Sequence, residues 1–333
     1  MIKLSILITH YNETEEVVKP LIQSILSQED INFNEIEVIV GNDGYEHKLP
    51  VNYFNQFNIK GRFNVAYYIF EKKGISSLRN SLLELANGEY VMFCDCDDKF
   101  VSDFGLSNIF QKMEYKPDLI TSCFYEEVYS DNKTIHQYNK RQHDRVFVHG
   151  KVIKKQFLID NNIFWDNELT LHEDSYFNNL CYYLSQKQEY IEQPFYLWKW
   201  RDSSVVRQDK WFLIKTYPDV IKSASRLVEG LLERGKKLEA SIQTFASILN
   251  LYYMLQNHKY IGGEGGYYAD LTLKPMREFY DRYGYLIDGL SAYQQAVIIS
   301  QVRCIYAETC FTIESITFED WIIDLLKINL KEK

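Results

Sequence analysis

The chain opens on KLSILITHY (residues 3–11), apolar on both alternating faces. That is the pattern of a strand covered on both sides in a parallel sheet. Val17, Leu21 and Ile25, interleaved with Val18, Ile22 and Leu26, recur at helical spacing. Pro20 fits a helix only in its first turn, so the pattern predicts a start near Val18. IEVIVGNDG and NVAYYIFEKKG predict a second and a third strand. SSLRNSLLELANG predicts a helix with serine caps, a Leu78–Leu82–Leu85 stripe and a stop at Gly88. EYVMFCDCDD is the fourth strand. This β-α-β-β-α-β order predicts an α/β doubly wound, Rossmann-like sheet with ligands at the carboxyl ends of its strands. Polar groups gather at those ends: Tyr11-Asn12, Asn42-Asp43-Gly44 and Asp95-Cys96-Asp97-Asp98.

From about Asp118 the pattern mixes. DLITSCFYEEVYS and KTIHQYNK predict two strands joined by a turn at Asp131-Asn132. HGKVIKKQFLIDNNIFW predicts a short helix and a loop, EDSYFNNLCYYLS a helix with acidic first residues, YIEQPFYLWKW a strand, and RDSSVVRQ a polar loop. Beyond about Lys210 long helical periodicity takes over, broken at IGGEGGYY. The expected organisation is a catalytic domain over residues 1–209 and an α-helical domain over 210–333, for acceptor docking or oligomerisation.

Composition narrows the function. Of 333 residues 46% are hydrophobic, enough for a sizeable core. The net charge of −9 argues against a nucleic-acid backbone as the partner. Six scattered cysteines with no C-x-x-C suit reduced thiols. Cys94-x-Cys96 is half a zinc site with no second pair to complete it. No run of about 18 apolar residues occurs, so no transmembrane segment is expected. The expected location is cytoplasmic, with peripheral association at the inner membrane face as a variant.

The acids at the fourth strand end need compensation, because like charges this close raise each other's pKa. On an extended chain Asp95 and Asp97 share one face, with Cys94 and Cys96 on the other. Two carboxylates at that spacing can bind a hard divalent cation; an acidic turn with an aspartate capping the next helix is the alternative. Asn42-Asp43-Gly44 is by itself a common turn, Arg79-Asn80 a solvated helix face, and Glu173-Asp174 a pair of acids favoured at a helix start. His172 is an ordinary loop histidine.

Taken in order, Thr9-His10-Tyr11-Asn12, Asn42-Asp43-Gly44, Gly74 through Asn80, and Ala86 through Asp98 resemble family 2 glycosyltransferases with the GT-A fold. Phe164-Trp165 through His172-Glu173-Asp174-Ser175-Tyr176-Phe177 resembles a further segment of that family. The resemblance covers roughly residues 1–207. It implies an inverting transferase moving a hexosyl group from a nucleotide-diphosphate sugar, a UDP-sugar above all, to a hydroxyl of a cell-surface or other glycan. By the same resemblance Tyr11 and Asp43 hold base and ribose, with Thr9 and Asn12 beside them, and Asp43 accepts from a uracil N3–H. Arg79 neighbours the donor sugar or diphosphate. Asp95 and Asp97 match the D-x-D, Asp97 touching Mn²⁺ or Mg²⁺ directly and Asp95 at the metal's edge reaching donor hydroxyls. Asp174 matches the general base. Arg201, Ser203, Ser204 and Arg207 resemble the loop that closes over the diphosphate. Glu173, His149 and Trp198 fall on the acceptor side, with Lys151 and Trp200 nearby. The helical region suits acceptor docking or a homo-oligomer.

Some residues depart from the family pattern. Tyr45 follows Asn42-Asp43-Gly44 where serine is common, Leu78 replaces the alanine before Arg-Asn, and Cys96 replaces a small residue. Two other classes stand beside the transferase. A haloacid-dehalogenase-type phosphohydrolase or phosphotransferase also shows a D-x-D after an apolar strand, but normally on the first strand, which here ends in Thr9-His10-Tyr11-Asn12. A non-catalytic nucleotide-sugar binding module would not need Asp97 and Asp174. A nicotinamide enzyme is disfavoured, because no G-x-G-x-x-G follows the first strand.

Overall fold

All seven residues of the first strand, β1 (Leu4–His10), are buried, as its two-sided apolarity requires. It lies between two parallel neighbours, β2 (Ile36–Asp43) and β4 (Tyr90–Asp95), and β3 (Val65–Phe70) adds to the far side of β2. The computed structural model describes residues 1–58, 63–130, 133–139, 144–201, 204, 209, 211–259, 263–307 and 317–328. It resolves into two units, Met1–Arg201 and Asp202–Lys333.

The first unit carries a mixed sheet in the order β3-β2-β1-β4-β8-β6-β9-β5, with β7 beside β6. The later strands are β5 (Lys99–Phe100), β6 (Leu119–Ser130), β7 (Lys133–Asn139), β8 (Val152–Lys154) and β9 (Gln188–Trp198). Beyond β4 the sheet is mixed: β8 runs against β4 and β6, β7 against β6 and β5 against β9, while β6 and β9 run parallel. Helix α1 (Glu15–Leu26) buries Val18, Leu21, Ile22 and Ile25 in the core. Each such side chain contributes about 1.5–3 kcal/mol. Helix α2 (Ile75–Leu85) lies against β2 at Gly41, where an added Cβ would meet Leu82 Cδ2 at 2.8 Å and Leu78 Cδ1 at 2.9 Å. Helices α3 (Gly105–Met113), α4 (Lys155–Asp160) and α5 (Glu173–Leu184) complete the unit.

Several boundaries differ from the sequence-based expectation. Helix α1 begins at Glu15, not near Val18, so Pro20 lies inside it. The carbonyl that Pro20 leaves without its i+4 donor belongs to the exposed Glu16, where water serves. The cap of α2 is Gly74 at φ 90°, not a serine, and the helix ends at Leu85 before Gly88. Gly88 instead sits against β1: a Cβ there would lie 2.6 Å from the Ser5 amide nitrogen. The three-residue β8 precedes α4 where only a helix was expected. The turn at Asp131-Asn132 falls outside the described residues.

The second unit is helical. Its helices span Phe212–Lys215, Tyr217–Glu233, Lys237–Lys259, Gly263–Tyr283, Ala292–Ala307 and Phe318–Leu326. Residues 263–268 of the expected break at IGGEGGYY are therefore helical. Glycine inside a helix costs only about 1 kcal/mol against alanine, which a 21-residue helix absorbs. Its core includes Phe245, Leu249, Leu290, Ile298 and Val302. Among the described residues no helix is long and apolar enough to cross a membrane. Cys94, Cys96, Cys123 and Cys181 are buried in the first unit, and Cys304 is exposed in the second.

Candidate active site

Parallel register brings the polar strand ends together. Thr9 is level with Asp95 across β1 and β4, and His10 with Asn42 across β1 and β2. Thr9 Oγ1 donates to Asp95 Oδ1 at 3.2 Å. The turn past β4 keeps the strand's alternation: Cys94 and Cys96 are buried, Asp95 and Asp97 half-buried on the other side. Burial raises both thiols well above their usual range, with the neighbouring acids adding to it. The one metal-ligating group found among the described residues includes neither.

Arg79 is not on a solvated face. It is 4% exposed, and its guanidinium lies over the Trp165 ring at 4.3 Å. Its Nη2 donates to Asp95 Oδ1 at 3.3 Å and its Nη1 to Glu173 Oε1 at 3.0 Å. One buried cation thus joins the end of β4 to the start of α5. Asn80, next along, pins this arrangement by donating to the Trp165 carbonyl and accepting from the Trp165 amide, at 2.8 and 2.9 Å.

Helix α5 starts after His172, held in the left-handed region at φ 58°. Asp174, in its first turn, has its carboxyl pushed up to about 8. Burial is the main cause and the Glu173 charge the next; Arg79 and the Ser175 amide oppose them. A carboxyl in that range can hold or release a proton near neutrality.

A second cluster surrounds Asp97. Arg201 Nη1 donates to Asp97 Oδ2 at 2.7 Å and to Glu13 Oε1 at 3.1 Å. Glu13 Oε2 accepts from the amides of Tyr11 and Asn12 at 3.0 and 3.2 Å. Burial alone would raise Glu13, but the Tyr11 amide, Cys96 and Arg201 outweigh it and pull it down to about 2. Asp97 is raised by burial and by Asp95, against the pull of Arg201.

A third cluster lies deeper. Asp98 is fully buried; Tyr196 donates its hydroxyl to Oδ2 at 2.6 Å and the Lys199 amide donates to Oδ1 at 3.0 Å. Burial, then Asp97 and Asp95, push its carboxyl well up. His149 Nδ1 stands 3.7 Å from Asp98 Oδ2 and has no hydrogen-bond partner among the described residues. The imidazole stacks on Phe147 and Tyr196, with Trp198 5.4 Å away. Burial brings it down to about 4, so it is neutral at pH 7. Asp95, Asp98 and His149 each offer one ligand atom within 4.8 Å of the others. Two carboxylates and an unpartnered imidazole nitrogen suit a divalent cation.

Tyr11 and Asp43 meet a different segment. Lys72 Nζ lies over the Tyr11 ring at 4.4 Å. Asp43 is buried and accepts from the amides of Lys73 and Gly74 at 2.8 and 3.0 Å, so it braces the loop before α2. Lys151 is buried with Asp144 at 2.9 Å and holds the loop that carries His149, while Asn178 and Asn179 on α5 donate to the carbonyls of Val146 and Arg145. Trp198 packs half-buried against Phe147. Asn12 is exposed. Arg207 and Ser203 lie outside the described residues. Sequence reasoning passed over Glu13, Lys72 and Tyr196 and gave Asp98 no firm role; the acid two positions beyond Tyr11 was the available signal for Glu13.

Residues 5–170 match the family model described as glycosyl transferase family 2. The chain belongs to that family. This sets aside the phosphohydrolase reading of the D-x-D. The chain is 24% identical over 277 residues to the glycosyltransferase GlyA of Streptococcus pneumoniae, covering 75% of this chain and 37% of GlyA. It is 26% identical over 260 residues to the GalNAc(5)-diNAcBac-PP-undecaprenol beta-1,3-glucosyltransferase of Campylobacter jejuni, covering 73% and 76%. The match to the Bacillus subtilis minor teichoic acid biosynthesis protein GgaB, also 26% identical, covers 69% of this chain and 28% of that protein. The chain therefore spans little more than a third of GlyA and less of GgaB. Among solved structures, S. aureus TarS 1–349 in complex with UDP superposes with a TM-score of 0.63 at 17% identity, over 95% of this chain and 94% of that one. The mixed sheet and helical C-terminal region accordingly form a GT-A fold of the TarS kind.

Proposed function

We propose that the chain is an inverting glycosyltransferase that moves a sugar from a UDP-sugar to an acceptor hydroxyl in one displacement. The observation that carries this reading is Asp174, a carboxyl poised near neutrality and tied through Glu173 and Arg79 to the Asp95 strand end. TarS structures with UDP and with UDP-GlcNAc support a uridine donor. In this reading Tyr11 and Asp43 hold base and ribose, Asp43 accepting from the uracil N3–H, with Thr9 and Asn12 alongside. Arg79 keeps charge balance beneath the donor sugar. Asp174 takes the acceptor's proton as its oxygen attacks C1 from the face opposite the diphosphate. A single base and a single displacement invert the anomeric centre, without the close carboxylate pair that a covalent intermediate needs.

A divalent ion at Asp95 and its neighbouring acids supplies the charge that a departing diphosphate requires. Arg201 and Arg207 meet the phosphate oxygens of the donor, as the family resemblance implies for their loop. Glu173, Trp198 and the loop of His149 border the acceptor. The names of GgaB and the C. jejuni relative, a teichoic acid protein and a transferase onto a lipid-linked glycan, support a cell-surface glycan acceptor. The helical region, residues 210–333, docks that acceptor or a second copy of the chain.

The test is a panel of nucleotide sugars with and without Mn²⁺, read as nucleotide release. Mn²⁺-dependent release with a preference among UDP-sugars is expected. Metal-independent phosphate release with no preference for nucleotide sugars would sink the reading.

A further inference from the structure

Two turns carry the residues proposed to hold the base. One follows β1 and displays Tyr11; the other follows β2 and displays Asp43. Beneath them lies a histidine that neither the proton step nor the diphosphate uses. His10 is 2% exposed, and Asn42, level with it on the neighbouring strand, is fully buried. Asn42 Nδ2 donates to the Gly44 carbonyl at 2.5 Å, which leaves Oδ1 to face His10. His10 Nδ1 donates to that oxygen. On the other side of the ring Nε2 meets the Glu13 carbonyl at 2.9 Å. The imidazole thus spans the two turns. Each turn is also closed on itself. Glu13 Oε2 accepts from the Tyr11 and Asn12 amides. The Gly44 amide donates to the Phe70 carbonyl at 3.0 Å, and Asp43 is braced by the Lys73 and Gly74 amides. Two stiff pieces are therefore held apart by one ring. A polar ring costs more to bury than an apolar side chain, so packing alone does not call for it.

We infer that His10 and Asn42 are a positioning pair that sets the spacing between Tyr11 and Asp43, and with it the selection of uracil. The assignment of the base to Tyr11 and Asp43 rests on the reading above; the link between the two turns does not. Both side chains are buried and act through their neighbours in sequence, since Tyr11 follows His10 and Asp43 follows Asn42. Uracil carries an N3–H for Asp43 to accept, and cytosine does not. Hydrogen bonds span a range of only about 0.5 Å between heavy atoms. A base seated at Tyr11 keeps that contact only while the two turns hold their separation.

The first measurement needs no nucleotide. Amide hydrogen exchange of the full chain is followed over residues 10–16 and 42–48. His10→Phe and Asn42→Ala should each speed exchange in both segments by about tenfold, and the double variant by no more than either alone. His10→Gln, which keeps one arm, should fall between and serves if His10→Phe does not fold. The second measurement is calorimetric titration with UDP and with CDP at one fixed Mn²⁺ concentration. The wild type should prefer UDP, and His10→Phe should lower the ratio of the two affinities by about tenfold. A smaller folded fraction lowers the number of binding sites and leaves this ratio where it was. Exchange that speeds only in the segment carrying the substitution overturns the inference, and so does an unchanged ratio where the wild type prefers UDP. A wild type whose segments loosen together but which shows no preference for UDP counts against the nucleotide reading and leaves the link between the turns intact.

Discussion

Replacing Glu173 by glutamine probes what raises the proton affinity of Asp174. Burial is the first cause and the Glu173 charge the second, and together they bring the carboxyl to about 8. At pH 7 about a tenth of the molecules then carry the ionised base, and at pH 6 about a hundredth. With water as acceptor, nucleotide release from a UDP-sugar should give a kcat/KM that rises about tenfold per pH unit up to roughly pH 8 and then levels, because kcat/KM reports the free enzyme. Glutamine removes the like charge and frees Arg79 Nη1, whose cation favours the carboxylate. Both changes lower the Asp174 pKa, so the acid limb moves to lower pH. Each unit of movement multiplies kcat/KM on that limb by about tenfold relative to the plateau. The assay is a pair of profiles from pH 5.5 to 9.5 at constant ionic strength. A wild-type profile flat between pH 6 and 8, or a limb that stays or moves upward in Glu173→Gln, would refute this account of the base.

Asp174→Asn should retain donor binding by calorimetry while transfer falls by about 10²–10⁴-fold; unchanged turnover would move the base elsewhere. Arg79→Met leaves Glu173 and Asp95 without their shared cation and should lower stability by about 3–5 kcal/mol, read as the midpoint of denaturant unfolding. Glu13 has a folded pKa of about 2, below its usual 4.5, so its contribution is fully present above about pH 4.5 and is lost as pH falls toward 2; Glu13→Gln should flatten the acid limb of stability against pH. Gly88→Ala drives a Cβ into the Ser5 backbone and should cost about 1–3 kcal/mol, measured as a fall in Tm; an unchanged Tm would mean that β1 and β4 can part there.

The strands that build the site were legible because two-sided burial leaves an unbroken apolar run, as in β1 and β4, and because their polar ends interrupt it abruptly. The partners of those ends were not. Arg79 on α2 looks like a solvated position by helical spacing alone; Trp165 and Glu173, far along the chain, bury it. Glu13 owes its low pKa partly to Arg201, 188 positions later, and Asp98 its place partly to Tyr196, 98 positions later. Local periodicity carries no information at that range. The three residues of β8 are too few to show a period, and the glycines at 263–266 signalled a break because propensity is local while helix stability is summed over the whole segment.

Burial of every cysteine of the first unit has a practical consequence. Desolvated thiols such as Cys94 and Cys96 stay protonated and resist maleimides. Cys304 is exposed, and Cys310, the remaining cysteine, also falls in the second unit by sequence. With Cys310 changed to serine, a nitroxide can be attached selectively at Cys304. Paired with a bound Mn²⁺ as the second spin, it forms a molecular ruler. Pulsed dipolar spectroscopy could then follow the distance between the helical unit and the aspartates as donor and acceptor are added.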